Sequence, residues 1–374
     1  MKEAIYRLLI RVINALFPIT QKKIFFMSYY GNQYGCSPKY LSEYITQNQK
    51  DWKVVWAFTK PEKYNLPSIR KVKYLSLRYF YELCTSQVIV TNYRMTPLFK
   101  KRESQIYIQT WHSSLRLKMI EKDAEATLPS HYIEMAKNDS KNIDWLLSGC
   151  EYSTSIFKRC FWYEGQILPT GTPRNDLLFK NDLSLRQDIF NKLQIPTTTK
   201  VLLYAPTFRK GDNLEYYNIQ YSQLIQSLKK YKEGEWLILV RLHPHLRNFS
   251  QVLLKGEPNV LDVTDYDDIQ ELLYVANMVI SDYSSLIFDF AMTLRPCLLY
   301  VPDLEEYTSK DRALYFNIQE LPFPICLDNE KLFEQIENLD IDKYQDQVNT
   351  FLKGIGSYET GHACENICKH LNTL

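Results

Sequence analysis

The sequence predicts an α/β protein with two doubly wound, Rossmann-type domains. Short apolar runs alternate along the chain with stretches of helical periodicity, which is the rhythm of βα units. The runs are continuous in Val, Ile and Leu, as in strands of parallel sheets that are buried on both faces. With 374 residues, 45% of them hydrophobic, the chain is long enough for two cores.

The N-terminal segment predicts an amphipathic helix. Apolar residues recur at three- and four-residue steps within residues 1–17, and Arg7 and Arg11 lie on the remaining face. The arginines interrupt the apolar stretch that a membrane-spanning helix or a signal peptide requires. We therefore expect residues 1–22 to lie on an anionic membrane surface or, alternatively, to pack on the first domain.

The order of strands and turns predicts where the domains begin and end. Strands are expected at 23–28, 53–58, 87–91, 105–110 and 145–148 in the first half, and at 202–205, 236–242, 259–263, 279–281 and 297–301 in the second. The turn-rich stretch Gly171–Asp176 separates the halves. We expect domains at 23–172 and 173–356, and a terminal helix at 357–374 that packs back on the first domain.

Charge and cysteine content exclude several classes of protein. The 45 basic residues nearly balance the 43 acidic ones, so nothing in the overall charge favours nucleic-acid binding. Eight scattered cysteines indicate reduced thiols in a cytosolic setting. No metal is expected, because the spacing of His362, Cys364, Cys368 and His370 matches no standard zinc pattern. The glycine-rich phosphate-binding fingerprints are also missing from the sequence.

The stretch 278–290 reads as a strand that passes directly into a helix. Its polar turn contains Asp282, Ser284 and Ser285. The first N–H groups of a helix lack intrahelical partners and attract anions, and serine hydroxyls add donors. The turn therefore predicts a phosphate-binding site, with simple helix capping as the alternative.

Other polar residues also follow predicted strands directly. They are His112, Ser113 and Ser114 after 105–110, Thr207 and Arg209 after 202–205, and Arg241 and His243 at the end of 236–242. Ligands of open parallel sheets bind beyond the carboxyl ends of the strands, so we expect these groups to meet in a cleft between the domains. Arg, His, Thr and Ser all donate hydrogen bonds to phosphate, which favours a diphosphate-bearing ligand.

The two histidines are candidates for proton transfer. An imidazole titrates at roughly pH 6.5 and can accept a proton from a hydroxyl or donate one to a leaving phosphate. The alternative is that both are structural hydrogen-bonding residues. Their position after one strand in each half favours group transfer from a nucleotide.

Five motifs follow one another in the sequence: Gln109-Thr-Trp-His-Ser-Ser-Leu-Arg-Leu-Lys118, Gly171-Thr-Pro-Arg-Asn-Asp176, Leu203-Tyr-Ala-Pro-Thr-Phe-Arg209, Arg241-Leu-His-Pro244 and Ser281-Asp-Tyr-Ser-Ser285. With these motifs the chain resembles, over roughly residues 25–370, the CDP-glycerol glycerophosphotransferase family of teichoic-acid-type polymerases and primases. The resemblance implies a GT-B-like pair of Rossmann domains, with the donor CDP-alditol bound by the second.

The resemblance also implies roles for individual residues. It makes His112 the base that activates the acceptor hydroxyl and places His243 near the donor diphosphate. The donor and phosphate-binding residues it implies are Thr207, Arg209, Arg241, Asp282, Ser284 and Ser285, and the acceptor-side residues are Ser113, Ser114 and Lys118. The usual Gly-Thr-Pro of the family is Ser113-Ser114-Leu115 here, which leaves the acceptor, and the choice between glycerol and ribitol phosphate, open.

The expected activity is transfer of glycerol phosphate or ribitol phosphate from a CDP-alditol to a hydroxyl of a membrane-linked glycan or growing polymer, with release of CMP. Such a peripheral enzyme would work at the cytoplasmic face of the bacterial membrane, without a metal cofactor, in teichoic-acid or capsule synthesis. Self-association of the chain is left open. The alternatives are a GT-B-type glycosyltransferase that uses a nucleotide sugar and a non-catalytic nucleotide-binding protein.

Overall fold

A computed structural model describes residues 2–209, 213–254, 256–310 and 313–374, and the chain forms two compact units. The first contains the residues up to Ser114 together with Ile120–Asp176 and Ser357–Leu374; the second contains Leu115–Met119 and Leu177–Gly356. The change of unit after Asp176 falls at the end of the turn-rich stretch in which the sequence placed the boundary. The assignment of Leu115–Met119 differs from the sequence-based boundaries, which placed it in the first domain.

The first unit is built on a seven-stranded parallel sheet. Its strands are β1 (Thr20–Met27), β2 (Lys53–Phe58), β3 (Arg70–Lys73), β4 (Ser86–Thr91), β5 (Ile106–Gln109), β6 (Trp145–Leu147) and β7 (Gln166–Leu168), in the order β3-β2-β1-β4-β5-β6-β7. Its helices are α1 (Lys2–Leu16), α2 (Cys36–Asn48), α3 (Leu77–Thr85), α4 (Ser130–Ser140) and α5 (Glu151–Cys160), with α14 (Ala363–Leu371) from the end of the chain. Every residue of β4 is buried, as predicted for a strand covered on both faces.

The second unit repeats the same winding with six parallel strands. They are β8 (Lys200–Tyr204), β9 (Trp236–Val240), β10 (Val260–Asp262), β11 (Met278–Ser281), β12 (Cys297–Tyr300) and β13 (Ile325–Cys326), in the order β10-β9-β8-β11-β12-β13. The helices are α6 (Leu183–Leu193), α7 (Tyr221–Tyr231), α8 (Ser250–Leu253), α9 (Ile269–Val275), α10 (Leu286–Ala291), α11 (Leu304–Lys310), α12 (Asn329–Glu337) and α13 (Ile341–Gly354). Both sheets therefore have the strand order of Rossmann-type domains, and the predicted fold class is confirmed.

The strands that the sequence did not predict all lie at sheet edges. They are β3, β7 and β13, each of two to four residues. An edge strand pairs on one side only and needs no continuous apolar run. In β3, Arg70, Lys71 and Lys73 surround Val72, and such charges protect an exposed edge from pairing with other chains.

Helix α1 packs by one face and exposes a second apolar face. Ile10 and Ile13 are buried, and the Tyr6 ring lies 4.9 Å from that of Phe80 on α3. On the other side, an exposed apolar row recurs at steps of three and four residues: Ile5, Leu8, Val12 and Leu16. Among the described residues, no helix has both the length and the apolarity that crossing a bilayer requires.

The terminal helix α14 is held in the first unit by a carboxylate at its start. The backbone N–H groups of Ala363 and Cys364 each donate to the Asp176 side chain at 2.8 Å. These N–H groups have no partner within the helix, and the helix dipole favours an anion there. Asp176 thus ends the turn-rich stretch and anchors residues 357–374 at the same time.

Candidate functional site

In the second unit, the loops after β8 and β11 meet at the point where the strand order reverses. Because β8 and β11 are neighbours in the sheet, their carboxyl ends lie side by side. The backbone N–H of Thr207 donates to both oxygens of the Asp282 carboxylate, at 3.0 and 2.9 Å. Such a switch point is where open α/β sheets bind ligands. The predicted donor-binding residues Thr207, Arg209, Asp282 and Ser284 are therefore gathered around it.

Arg209 is held by two carboxylates at this switch point. Its Nη1 donates to Asp282 at 2.6 Å, and its Nε and Nη2 donate to Asp303 at 2.7 and 3.2 Å. Only 6% of the residue is exposed. Burial disfavours the charged form, but the two carboxylates outweigh it and raise the pKa of Arg209. The structure shows that Arg209 joins the loops, and its predicted contact with phosphate remains a prediction.

Asp303 is a residue of this network that the sequence analysis missed. It follows β12 directly, after Val301 and Pro302, and so obeys the rule by which the other candidates were found. Its carboxylate also accepts a hydrogen bond from the Tyr283 hydroxyl at 3.1 Å. It therefore ties the β12 loop to the turn that contains Ser284 and Ser285.

The turn between β11 and α10 has the predicted strand-to-helix form. Ser284 Oγ accepts from the N–H of Leu286 at 3.4 Å, a contact of the capping type. Ser285 Oγ accepts from the N–H of Leu117 at 3.3 Å. Both serines are partly exposed. The phosphate-binding role of this pair remains a prediction, and capping accounts for one of the two contacts.

His243 and Arg241 follow β9, the neighbour of β8. The backbone N–H of His245 donates to Nδ1 of His243 at 3.3 Å, so in the neutral ring the hydrogen is on Nε2. Surrounding protein partly desolvates the ring and lowers the pKa of His243, and the charges of His245 and Lys118 act in the same direction. The exposed His243 thus presents an N–H donor. Arg241 Nη2 donates to the carbonyl oxygen atoms of Tyr266 and Asp267, at 3.1 and 3.3 Å.

His112, in the first unit, has the tautomer opposite to that of His243. Its Nδ1 lies 3.1 Å from the carbonyl oxygen of Asn92, which can only accept, so Nδ1 carries the hydrogen. The lone pair of the neutral ring is then on Nε2, as a base requires. Asn92 follows β4, and its side-chain oxygen accepts from the N–H of Tyr29 after β1. His112 is therefore positioned beside the switch point of the first sheet.

Beneath this loop, Arg94 forms a buried ion network that the sequence analysis also missed. Its guanidinium pairs with Glu121 at 2.9 Å and with Asp139 at 3.5 Å, and it lies 3.7 Å from the Phe161 ring centre. Burial raises the pKa of Asp139 to about 7. The Trp111 ring packs on Phe161 at 4.9 Å, so this network supports the residue before His112.

Ser113 and Ser114 are buried, with 7% and 1% exposure. The carbonyl oxygen of Ser114 accepts a hydrogen bond from Ser153 Oγ at 2.6 Å. The Cα atom of Ser114 would lie only 2.9 Å from a Cβ atom placed on Gly149. A glycine at 149 therefore allows the loop to pack closely. The sequence predicted acceptor contacts for these serines; their burial favours a role in positioning the loop.

Lys118, predicted on the acceptor side, belongs to the second unit. Residue 118 forms an antiparallel bridge with Leu314, and its Nζ lies 5.2 Å from the centre of the Tyr307 ring. Lys118 thus lies outside the first unit, because the chain leaves that unit directly after Ser114, and its acceptor-side role remains a prediction.

Comparison with known proteins identifies relatives across the whole chain. Residues 9–373 match the family model of CDP-glycerol:poly(glycerophosphate) glycerophosphotransferase. The teichoic acid poly(glycerol phosphate) polymerase of Bacillus spizizenii is 30% identical over 98% of this chain and 96% of its own length. That of Staphylococcus epidermidis is 33% identical over 93% of this chain, which spans about half (50%) of that longer protein. The teichoic acid ribitol-phosphate primase of Bacillus spizizenii is 26% identical over 97% of this chain and 94% of its own length.

Solved structures of other proteins also match this chain. The wall teichoic acid polymerase TagF matches with a TM-score of 0.87 and 31% identity, covering 100% of this chain and 92% of that one. A variant of TagF soaked with CDPG matches with a TM-score of 0.86 and 30% identity, and the match covers 100% of this chain and 92% of the TagF chain. The UDP-GlcNAc 2-epimerase of Neisseria meningitidis, 13% identical with a TM-score of 0.54 over 94% of this chain and 100% of that one, shares the fold.

Proposed function

Because this chain belongs to the CDP-glycerol:poly(glycerophosphate) glycerophosphotransferase family, we propose that it transfers glycerol phosphate from CDP-glycerol to a hydroxyl of a membrane-linked glycan or growing polymer. The observation that carries the proposal is the switch point of the second sheet, where Thr207, Asp282 and Ser284 gather on adjacent strand ends. This is the position at which a Rossmann-type domain binds a nucleotide.

The reaction assigns different tasks to the two histidines. The acceptor oxygen attacks the phosphorus that carries glycerol, a new P–O bond forms, and the bond to CMP breaks. His112 takes the hydroxyl proton on Nε2, which carries the lone pair because Nδ1 donates to Asn92. His243 donates a hydrogen bond from Nε2 to the phosphate of the departing CMP. Positioning and electrostatic stabilisation dominate such phosphoryl transfers.

The nucleotide that is released tests the proposal. We expect CMP from CDP-glycerol, or from CDP-ribitol, since the relatives include a ribitol-phosphate primase and two ribitol-phosphate polymerases, and we expect EDTA to leave the rate unchanged. Release of a nucleoside diphosphate from a nucleotide sugar would instead establish a glycosyltransferase. Binding of CDP-glycerol without turnover in the presence of acceptor would indicate a non-catalytic protein.

We further propose that α1 attaches the protein to the cytoplasmic face of the membrane, where a lipid-linked acceptor is found. The exposed row Ile5, Leu8, Val12 and Leu16 supports this, because burying such side chains in the interface is favourable. Arg11 lies on the same helix and favours anionic lipid.

Substitutions in the exposed row test the membrane attachment and leave the buried face of α1 unchanged. Replacing Leu8 and Leu16, which are 61% and 68% exposed, with serine should weaken binding to phosphatidylglycerol vesicles by at least ~10-fold, since each buried leucine contributes about 1.5–3 kcal/mol. Vesicle co-sedimentation measures the change. Leu183→Ser, at a residue of the second unit that is 77% exposed, is the matched control. Equal binding of the double variant and the control would refute attachment through α1.

A further inference from the structure

The segment Leu115–Met119 is built into the second unit by backbone and side-chain contacts. The N–H of Leu117 donates to Ser285 Oγ at 3.3 Å, and its carbonyl oxygen accepts from the N–H of Tyr315 at 2.8 Å. The N–H of Met119 donates to the carbonyl oxygen of Ala313, also at 2.8 Å. The side chains of Leu115 and Leu117 are fully buried. The backbone on both sides of Lys118 is thus fixed to Ala313 and Tyr315, and on the side of Leu117 also to the turn that contains Ser285.

The side chain of Lys118 lies beside the same turn. Its Nζ is 5.2 Å from the centre of the Tyr307 ring, and that ring stacks on Tyr283 with centroids 3.6 Å apart and planes within 4°. Tyr283 lies within the turn, between Asp282 and Ser284. The positive charge of Lys118 also acts on the His243 ring. The ammonium therefore lies beside the ring that stacks on Tyr283 of the turn, and its charge acts on His243, which we assign to the donor diphosphate.

Charge balance at the switch point also points to Lys118. Arg209 pairs with Asp282 and Asp303, so these three groups together carry a net negative charge, which repels a diphosphate. Arg241 donates to backbone carbonyl groups. Arg116, in the same segment as Lys118, is only 2% exposed, whereas Lys118 is partly exposed.

We propose that the Lys118 ammonium binds the diphosphate of the CDP-alditol and stabilises the charge that develops as CMP leaves, a role that rests on the proposed donor. A lysine ammonium is a compact charge that suits a phosphate oxygen. Together with Ser284, Ser285 and His243, it completes a set of donors to the diphosphate within the second unit.

Binding of donor fragments tests this role. Lys118→Met keeps most of the length of the side chain but removes the charge, and we expect ~10- to 100-fold weaker binding of CDP-glycerol and of CDP by calorimetry, as for loss of a hydrogen bond to a charged group. Binding of cytidine, which has no phosphate, should be unchanged. Lys118→Arg should restore much of the affinity. Lys229→Met, at an exposed lysine of α7 that pairs with Glu235, is the control.

A second readout is independent of ligand. Removal of the Lys118 charge should raise the pKa of His243, measured from the ring carbon-bound protons by NMR, whereas Lys229→Met should not. If Lys118→Met binds CDP-glycerol as the unchanged protein does, the proposal is wrong. A higher KM for acceptor with an unchanged KM for donor would return Lys118 to the acceptor side. Failure of the unchanged protein to bind CDP-glycerol would overturn the donor itself and this role with it.

Discussion

Replacing His112 with alanine should lower kcat for CMP release by ~10²- to 10⁴-fold, the usual contribution of a general base. The reason is specific: Nδ1 donates to the carbonyl oxygen of Asn92 at 3.1 Å, so Nε2 is the basic nitrogen of the neutral ring, and alanine has no replacement for it. His112 is exposed, so the variant should fold normally. Its affinity for CDP-glycerol should be nearly unchanged, because the donor site that we propose is in the second unit.

His131→Ala is the matched control for this prediction. His131 is an exposed histidine on α4 of the same unit, and its replacement should leave kcat near that of the unchanged protein. Single-turnover measurements with CDP-glycerol and acceptor would separate chemistry from product release. If His112→Ala and His131→Ala both keep the kcat of the unchanged protein, His112 is a structural residue and another group must take the proton.

Replacing Asp303 with alanine should lower the free energy of unfolding by about 3–5 kcal/mol, because buried donors of Arg209 and Tyr283 lose their acceptor at a cost of roughly 1–3 kcal/mol for each group. The carboxylate accepts hydrogen bonds from Nε and Nη2 of Arg209 and from the Tyr283 hydroxyl, and all three donors would lose it. Urea denaturation measures the loss. Donor binding should weaken as well, because the loops after β8, β11 and β12 would no longer be joined.

Glu305→Ala tests whether the effect belongs to the network. Glu305 lies two residues further along the chain and is exposed, so its loss should change the free energy of unfolding by less than about 0.5 kcal/mol. An Asp303→Ala effect of about 1 kcal/mol or less would show that Asp282 alone holds Arg209. The double variant Arg209→Met with Asp303→Leu should not recover the stability, because it leaves the buried Asp282 carboxylate without its guanidinium partner.

The central strands could be predicted from the sequence, whereas three of the four edge strands could not. Strands such as β4 and β11 are covered on both faces, so each is a continuous apolar run that stands out in the sequence. The edge strands β3 and β7 are short and partly polar, and β13 has only two residues, so only pairing with a neighbour makes them strands. Their presence is therefore a property of the sheet and not of the local sequence.

At the candidate site, local sequence patterns were enough to predict which residues follow the strand ends, because a polar turn after an apolar run is such a pattern. They identified His112, His243 and the turn at Ser284 and Ser285. The neighbours of these residues depend on how the strands pair and on the path of the chain. The order in which β8, β11 and β12 pair brings Asp303 to Arg209, and the path of the chain after Ser114 puts Lys118 in the second unit. These contacts join residues far apart in the chain, so no local pattern of residues encodes them.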